Sequence, residues 1–452
     1  MILSRDVACL RQLSSGHFDQ ITRESLRQSS KFAGSTATID GWIISQGDDQ
    51  WQTLLHAIAG LEFGRSVFFA SSIYSHDEVE AAVARLPSSE TARFAFLTSG
   101  STGRPKVVIH STEALVQAAL SLTNAIPLGG RRMHHLFPPN YMAGVLNCVV
   151  LPWVTNGSVV IGSPFSFRTP FQMPFILGES QSEVAWLSPR MIRSLGTVAR
   201  HQDQLRESLQ RHWALVVSAT GPLDLATRDA FVDLLQIPVL NTYGTTEHLF
   251  ISAESQVGEK VTCGSLIPKN ELAFATEPED DFLESFLGRS SGVVWARTPF
   301  MANVVVEANQ DPMAVHHEAS SAPRFRQTGD VGRLHEGCLH IDHRADDIIV
   351  WDGLNISPRV YEDYANGNRS VIESMLSLVS HNGRDLLVLF TVVSDEQAGS
   401  QVIEELRQGF RTWDRDLPTP TRVLSVKELP RTHTGKVNRR EAQHLFVTAA
   451  PQ

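Results

Sequence analysis

The chain has 452 residues, 39 Lys and Arg against 49 Asp and Glu, a formal net charge of −10, and 4 cysteines. That length is enough for two or three domains with a large core, and the acidic balance excludes a general binder of nucleic acid or anionic membrane, which needs a basic surface. Cys9, Cys148, Cys263 and Cys338 stand far apart with no Cys-x-x-Cys pair, which speaks against a zinc ribbon or a thioredoxin-like centre and fits a reducing cytosol.

The amino terminus meets charge at Arg5 and Asp6 and holds no apolar core of signal-peptide length. The longest apolar stretches, 144–154 and 386–393, are too short to span a bilayer, so the chain reads as soluble and cytoplasmic. Leu54, Leu55, Ile58 and Leu61 recur at helical spacing, and 66–70 is a short strand run. Residues 93–97 alternate toward a strand, 98–106 is rich in small residues, and 107–110 is a further strand. A helix is expected from about 112 to 124, with Thr112 as its cap. Strands at 158–161, 184–187, 214–218 and 239–240 alternate with helices at 189–200, 202–212 and 225–235, which implies α/β layers and a mainly parallel sheet. From 261 to 341 the pattern turns strand-rich (293–296, 304–307, 339–341), with an exposed loop at 315–323. After Arg344 the chain restarts as a small α+β unit: strand 386–393, helix 396–408, strand 423–426. The expected fold class is α/β. A large N-terminal body, residues 1–344, combines layered α/β subdomains with a β-rich segment, and a small α+β C-terminal domain occupies 345–452.

The sharpest local signal is Thr98-Ser99-Gly100-Ser101-Thr102-Gly103-Arg104-Pro105-Lys106. Two glycines let the backbone turn its N–H groups inward, four hydroxyls add donors, and Lys106 adds a compact positive charge. Such a nest suits phosphate oxygens. It is not a Walker A loop, since no Gly-Lys-Ser/Thr closes it.

In its order of residues this segment resembles the phosphate-binding signature of the AMP-forming adenylating enzymes: acyl- and aryl-CoA synthetases, peptide-synthetase adenylation domains and luciferases. Later segments follow in that superfamily's order. Asn241-Thr242-Tyr243-Gly244-Thr245-Thr246-Glu247 resembles its Tyr-Gly-x-Thr-Glu element, Gln327-Thr328-Gly329-Asp330 its ribose element, and His343-Arg344-Ala345-Asp346-Asp347-Ile348-Ile349 its hinge. Leu429-Pro430-Arg431-Thr432-His433-Thr434-Gly435-Lys436 resembles its catalytic-lysine loop. Ser218-Ala219-Thr220-Gly221 stands where the superfamily contacts adenine, and Pro138–Gly144 where many members have a gate histidine, a position Tyr141 takes here. The short segment ahead of the phosphate loop is similar to that of the o-succinylbenzoate-CoA ligases. Three positions depart from the pattern: Val107 and His343 for glycines, and Val350 for a frequent lysine.

The resemblance implies ATP-dependent activation of a small carboxylic acid, aryl or aliphatic, to an acyl-adenylate, followed by thioester formation with CoA. The alternative acceptor is the phosphopantetheine of an acyl or peptidyl carrier protein, and a third reading is a degenerate nucleotide-binding protein. Lys436 would be the catalytic cation, with Thr246 and Glu247 beside it and Glu247 the ligand of Mg²⁺. Thr98 to Gly103, Lys106, Ala219, Thr220, Gly221, Thr242, Tyr243, Gly244, Thr245, Asp330 and Arg344 would bind the nucleotide. Tyr141, Ala219, Thr242 and His248 would line the acid pocket, and the small domain would rotate about Asp346.

Overall fold

The structure is a computed structural model. It describes residues 7–14, 17–33, 38–86, 93–99, 105–275, 289–302, 304–307, 325–352, 354–368, 370–394, 399–413, 417–431 and 437–449. The expected α/β class holds. Short apolar runs bounded by turns make strands buried on both faces, and longer amphipathic runs make the helices that cover them.

The larger sheet has 13 strands. Its parallel part sets Val7–Gln12, Ser158–Ile161, Arg132–His134, Val184–Leu187, Leu215–Ser218 and Val239–Thr245 side by side. At Val239–Thr245 the direction changes, and Leu249–Ala253, Ser265–Leu266, Cys338–Arg344, Arg326–His335, Ser291–Arg297 and Glu271–Ala275 continue it antiparallel. The sheet is therefore mixed rather than mainly parallel. Tight connections such as the turn between Thr245 and Leu249 allow only antiparallel pairing. The second sheet has six strands, in the order Val304–Glu307, Pro105–Ser111, Arg93–Ser99, Ser66–Ala70, Trp42–Gln46, Thr38–Ile39.

The main core lies between the two sheets. Phe69, Phe94 and Phe96 from the smaller sheet join Trp186, Val217 and Leu240 from the larger one, and the Phe69 ring stacks on Phe94 and Phe96 at 5.6 and 5.0 Å. A second core fills the other face of the parallel strands, beneath helices Thr169–Ser180, Pro189–His201, Asp203–His212 and Leu225–Leu235. After Arg344 a separate three-stranded sheet, Val371–His381, Arg384–Val393 and Arg422–Ser425, has its own apolar clusters.

Several local expectations shift. Ser111, not Thr112, caps the helix Thr112–Thr123: its backbone is extended and its hydroxyl accepts from the Ala114 N–H, while Thr112 is already helical. The strand expected at 239–240 runs on to Thr245. The helix expected at 396–408 is described as Gly399–Trp413, because Phe410 continues its apolar stripe into the core. The loop expected at 315–323 lies outside the described residues. Among the described residues no helix is long and apolar enough to cross a membrane.

Candidate active site

The phosphate-loop segment spans two strands of one hairpin. Arg93–Ser99 and Pro105–Ser111 pair antiparallel, with Thr98 opposite Lys106 and Ser99 opposite Pro105. The apolar runs on either side bury in the smaller sheet and hold both ends of the loop. Gly100, Ser101, Thr102, Gly103 and Arg104 lie outside the described residues. Along the second strand, side chains alternate in direction, so Lys106 and His110 share a face.

That face meets the turn after Val239–Thr245. Lys106 makes an ion pair with Glu247. The turn itself is held by three donors from two elements. The His110 Nε2–H donates to the Thr246 carbonyl at 2.7 Å. The Ala302 N–H donates to the Glu247 carbonyl at 2.7 Å, and the Thr298 hydroxyl to the His248 carbonyl at 3.0 Å. His248 is fully buried, with Nδ1 2.8 Å from the Thr245 hydroxyl and Nε2 3.1 Å from the Arg326 carbonyl. Its ring therefore fixes the turn, with both nitrogens engaged by protein. Gly244 is required where the strands close: a Cβ there would stand 1.9 Å from the Leu249 carbonyl oxygen.

A second group lies farther along the larger sheet. The Tyr243 hydroxyl donates to Asp330 at 2.5 Å. Arg344, opposite Asp330 across the strand pair, divides its guanidinium between Asp330 at 3.5 Å and Asp346 at 3.2 Å. Gly329, at φ +79°, leaves room for that guanidinium, which a Cβ would approach to 2.9 Å.

The remaining candidates fall around these two groups. Thr242 donates to the Ser218 carbonyl at 3.0 Å, which ties it to the Ala219–Gly221 turn, and Thr220 there adopts φ +74°. Such a conformation in a threonine is a local strain of the kind found at ligand sites. Tyr141 lines a hollow with Thr98, Phe96, Asp48, Asn140 and Met142. Asn140 is not free to meet a ligand: it accepts from Ser45 and Thr53 and donates to the Gly47 carbonyl. Lys436 lies outside the described residues, but both ends of its loop are placed. Arg431 bridges to Val437, and the Asn438 N–H donates to the Pro430 carbonyl at 2.8 Å. Arg431 also pairs with Glu373, which faces Arg190 at 3.7 Å.

A sequence model of the family described as AMP-binding enzyme matches residues 18–304. The chain belongs to that family. The p-hydroxybenzoic acid–AMP ligase FadD22 of Mycobacterium tuberculosis is 27% identical to it over 359 residues, 76% of this chain and 48% of the relative. An acetyl-coenzyme A synthetase of Shewanella denitrificans is 24% identical over 388 residues, 78% of this chain and 55% of the relative. The chain thus spans about half the length of the curated relatives it matches. Among solved structures, the anthranilate CoA ligase AuaEII in complex with anthranoyl-AMP shares the fold, with a TM-score of 0.79 at 15% identity over 98% of this chain and 94% of that one.

In this AMP-binding enzyme the electrostatics of the two groups differ. Burial would raise the Glu247 carboxyl, but the Lys106 charge and hydrogen bond overcome it and hold the group at about 2. Burial pushes His110 and His248 down to about 4, against the opposing pull of Glu247, so both imidazoles are neutral at neutral pH. Burial, then the Asp330 charge, pushes the Tyr243 hydroxyl well up. An ionised carboxylate held beside a lysine fits a Mg²⁺ that binds through one carboxylate and the substrate's phosphates. Among the described residues no cluster of three acidic, His or Cys side chains could hold a metal by itself.

Four contributors were not singled out from the sequence: His110, Thr298, Ala302 and Glu373. For His110 a signal existed, since the two-residue period from Lys106 places it on the loop lysine's face. The others reach the site only through tertiary contacts.

Proposed function

We propose that the chain activates an aryl or aliphatic carboxylic acid with ATP and passes the acyl group to the thiol of CoA. A carboxylate oxygen attacks the α-phosphorus, the bridging bond to the β-phosphate breaks, and pyrophosphate leaves. The thiol then attacks the acyl carbon, loses its proton, and AMP departs with the carbon–oxygen bond pair. The first step brings an anion to a polyanion, so it needs fixed positive charge and aligned donors more than an acid or base.

The observation that carries this reading is the convergence of Lys106, from the loop hairpin, with Glu247, Thr246 and the Gly244 turn from a different sheet. Glu247 would hold Mg²⁺, which neutralises phosphate charge when bound. Lys106 and the loop donors would position the β- and γ-phosphates. Asp330 and Arg344 would take the ribose, Tyr243 and the Ala219–Gly221 turn the adenine, and Tyr141 the acid. Lys436 would bridge the carboxylate and the α-phosphate. The small domain, 345–452, would rotate about Asp346 to withdraw it, and Arg344's division between Asp330 and Asp346 supports a joint at that point. The relatives named for p-hydroxybenzoic acid and anthranilate favour an aryl acid.

One observation favours a carrier-protein thiol as the second acceptor. Val350 stands where a lysine is frequent and is 64% exposed, which removes a cation from the acceptor side. The test is ATP–pyrophosphate exchange across aromatic, fatty and dicarboxylic acids, followed by thioester formation with CoA and with carrier protein separately. Exchange with an aromatic acid is expected. No exchange with any acid sinks the enzymatic reading in favour of a nucleotide-binding protein.

A further inference from the structure

Helix Thr169–Ser180 buries one face and leaves the other bare. Met173 and Leu177 pack with Leu205 and Leu209. The opposite face carries Phe171 and Phe175, which are 60% and 50% exposed, and just ahead of the helix Phe167 is 77% exposed. A phenylalanine presents roughly 200 Å², so the three rings together expose about 350 Å². That is in the size range of the largest apolar patch on a typical monomer, which is often functional. None of these residues belongs to the site described above.

The ends of the same face carry opposite charges. Arg168, beside the Phe167 ring at 5.4 Å, opens the helix, and Glu179 lies near its end. Among the described residues neither side chain has an ion-pair partner. Residues 168, 171, 175 and 179 follow one another at steps of three, four and four, which sets them in one stripe. The stripe is self-complementary. The pair Arg168 and Glu179 and the pair Phe171 and Phe175 are both centred on the turn at Met173 and Pro174.

We propose that this face is the contact of a two-fold dimer in which a second copy lays its own helix antiparallel across it. One axis beside Met173 then sets Arg168 against the partner's Glu179 at both ends and interleaves Phe171 with the partner's Phe175, as an isologous interface requires. Gly178, where a Cβ would meet nothing within 4 Å, leaves space for the partner's Phe167. The chain's net charge of −10 opposes indiscriminate self-association, so pairing depends on this local charge match. The phenyl area from two copies, about 700 Å², is by itself below the roughly 1,200 Å² of a stable interface, so flanking residues must supply the remainder and the contact is a weak one. The dimer is therefore concentration-dependent.

Sedimentation velocity of the full chain over a wide concentration range tests this. The average mass is expected to climb toward twice that of the monomer. Phe171→Glu and Phe175→Glu should abolish the climb without changing the melting temperature. Arg168→Glu and Glu179→Arg should each weaken it by about tenfold through like-charge contact, and the double reversal R168E/E179R should restore it. A monomer at every concentration, or self-association that these substitutions leave unchanged, overturns the proposal. So does a failure of the double reversal to rescue. A monomer that binds anionic lipid vesicles and loses them with Phe171→Glu would assign the face to a lipid surface instead.

Discussion

The two ends of the candidate site are built on opposite principles. At the Glu247 end, charge is neutralised within the protein before any ligand arrives; His110, Thr298 and Ala302 hold the turn from outside, and the turn's own His248 ties it to the Arg326 carbonyl. At the Arg344 end, one half-exposed guanidinium is shared between Asp330 and Asp346, with Asp346 in a short 3-10 turn that has no buried residue. The first arrangement can hold a geometry without reorganising. The second can exchange partners at little cost. The reaction proposed above, with a rigid phosphate site and a moving lysine, would call for this pairing.

The largest effect tests the moving end. Lys436→Ala is expected to cut adenylate formation by about 10²–10³ or more while the variant still folds and transfers acyl from supplied adenylate. Equal loss in ATP–pyrophosphate exchange and in that transfer assay would erase the contrast. Glu247→Gln tests the rigid end. It should lower exchange by about 10² and raise the Mg²⁺ concentration needed for half-maximal rate. It should also cost about 2 kcal/mol of stability, less than a fully buried pair because Lys106 is partly exposed. An unchanged Mg²⁺ dependence would remove Glu247 from the metal's surroundings.

His110→Leu leaves the Thr246 carbonyl without its donor, at a cost of about 1–3 kcal/mol. His110→Gln, whose amide can still donate, should recover most of it. Equal thermal midpoints for the two variants would mean that shape, not the hydrogen bond, holds the turn.

A pH series distinguishes burial from pairing. The unfolded chain protonates His110 and His248 near 6.5, whereas burial holds both at about 4 in the folded protein. Above 6.5 neither state takes a proton. Between about 6.5 and 4 the unfolded state takes more, so stability falls as pH falls, by up to about 1.4 kcal/mol per pH unit for each group. Glu247 acts lower: its contribution is present above its unfolded value of 4.5 and is lost as pH falls toward about 2. Urea unfolding of His110→Gln should show a shallower slope in the upper window alone. The smallest effect is at the open end. Tyr243→Phe removes one hydrogen bond to Asp330, a net contribution of about 0.5–1.5 kcal/mol, and should raise the KM for ATP a few-fold with kcat preserved. A collapse of kcat would mean that Asp330 is as tightly fixed as Glu247.

The α/β class and strands such as Ser66–Ala70, Ser158–Ile161, Val184–Leu187 and Val304–Glu307 were legible because apolar periodicity and turn residues are local properties of the chain. So were the hairpin strands flanking Thr98 and Lys106, the Tyr243–Glu247 segment and the Arg344–Asp346 step, each written in a short contiguous segment. The direction of the strands was less so. Ser265 meets Cys338, and Val304–Glu307 joins the strand at Lys106, across separations that no local pattern reports.

Sequence by itself determined which residues are candidates for the proposed chemistry, since a lysine in a Gly/Ser/Thr loop, a Glu after Tyr-Gly-Thr-Thr and an Arg-x-Asp step are contiguous and chemically specific. Tertiary structure alone decided what holds them. Lys106 and Glu247 are 141 positions apart and meet only because the two sheets share one core. His248 became a strut rather than an open pocket wall because the Arg326 carbonyl and the Thr245 hydroxyl reached its two nitrogens first. Buried polar groups take whatever partner the packing brings within hydrogen-bond distance, and packing belongs to the whole chain rather than to any motif.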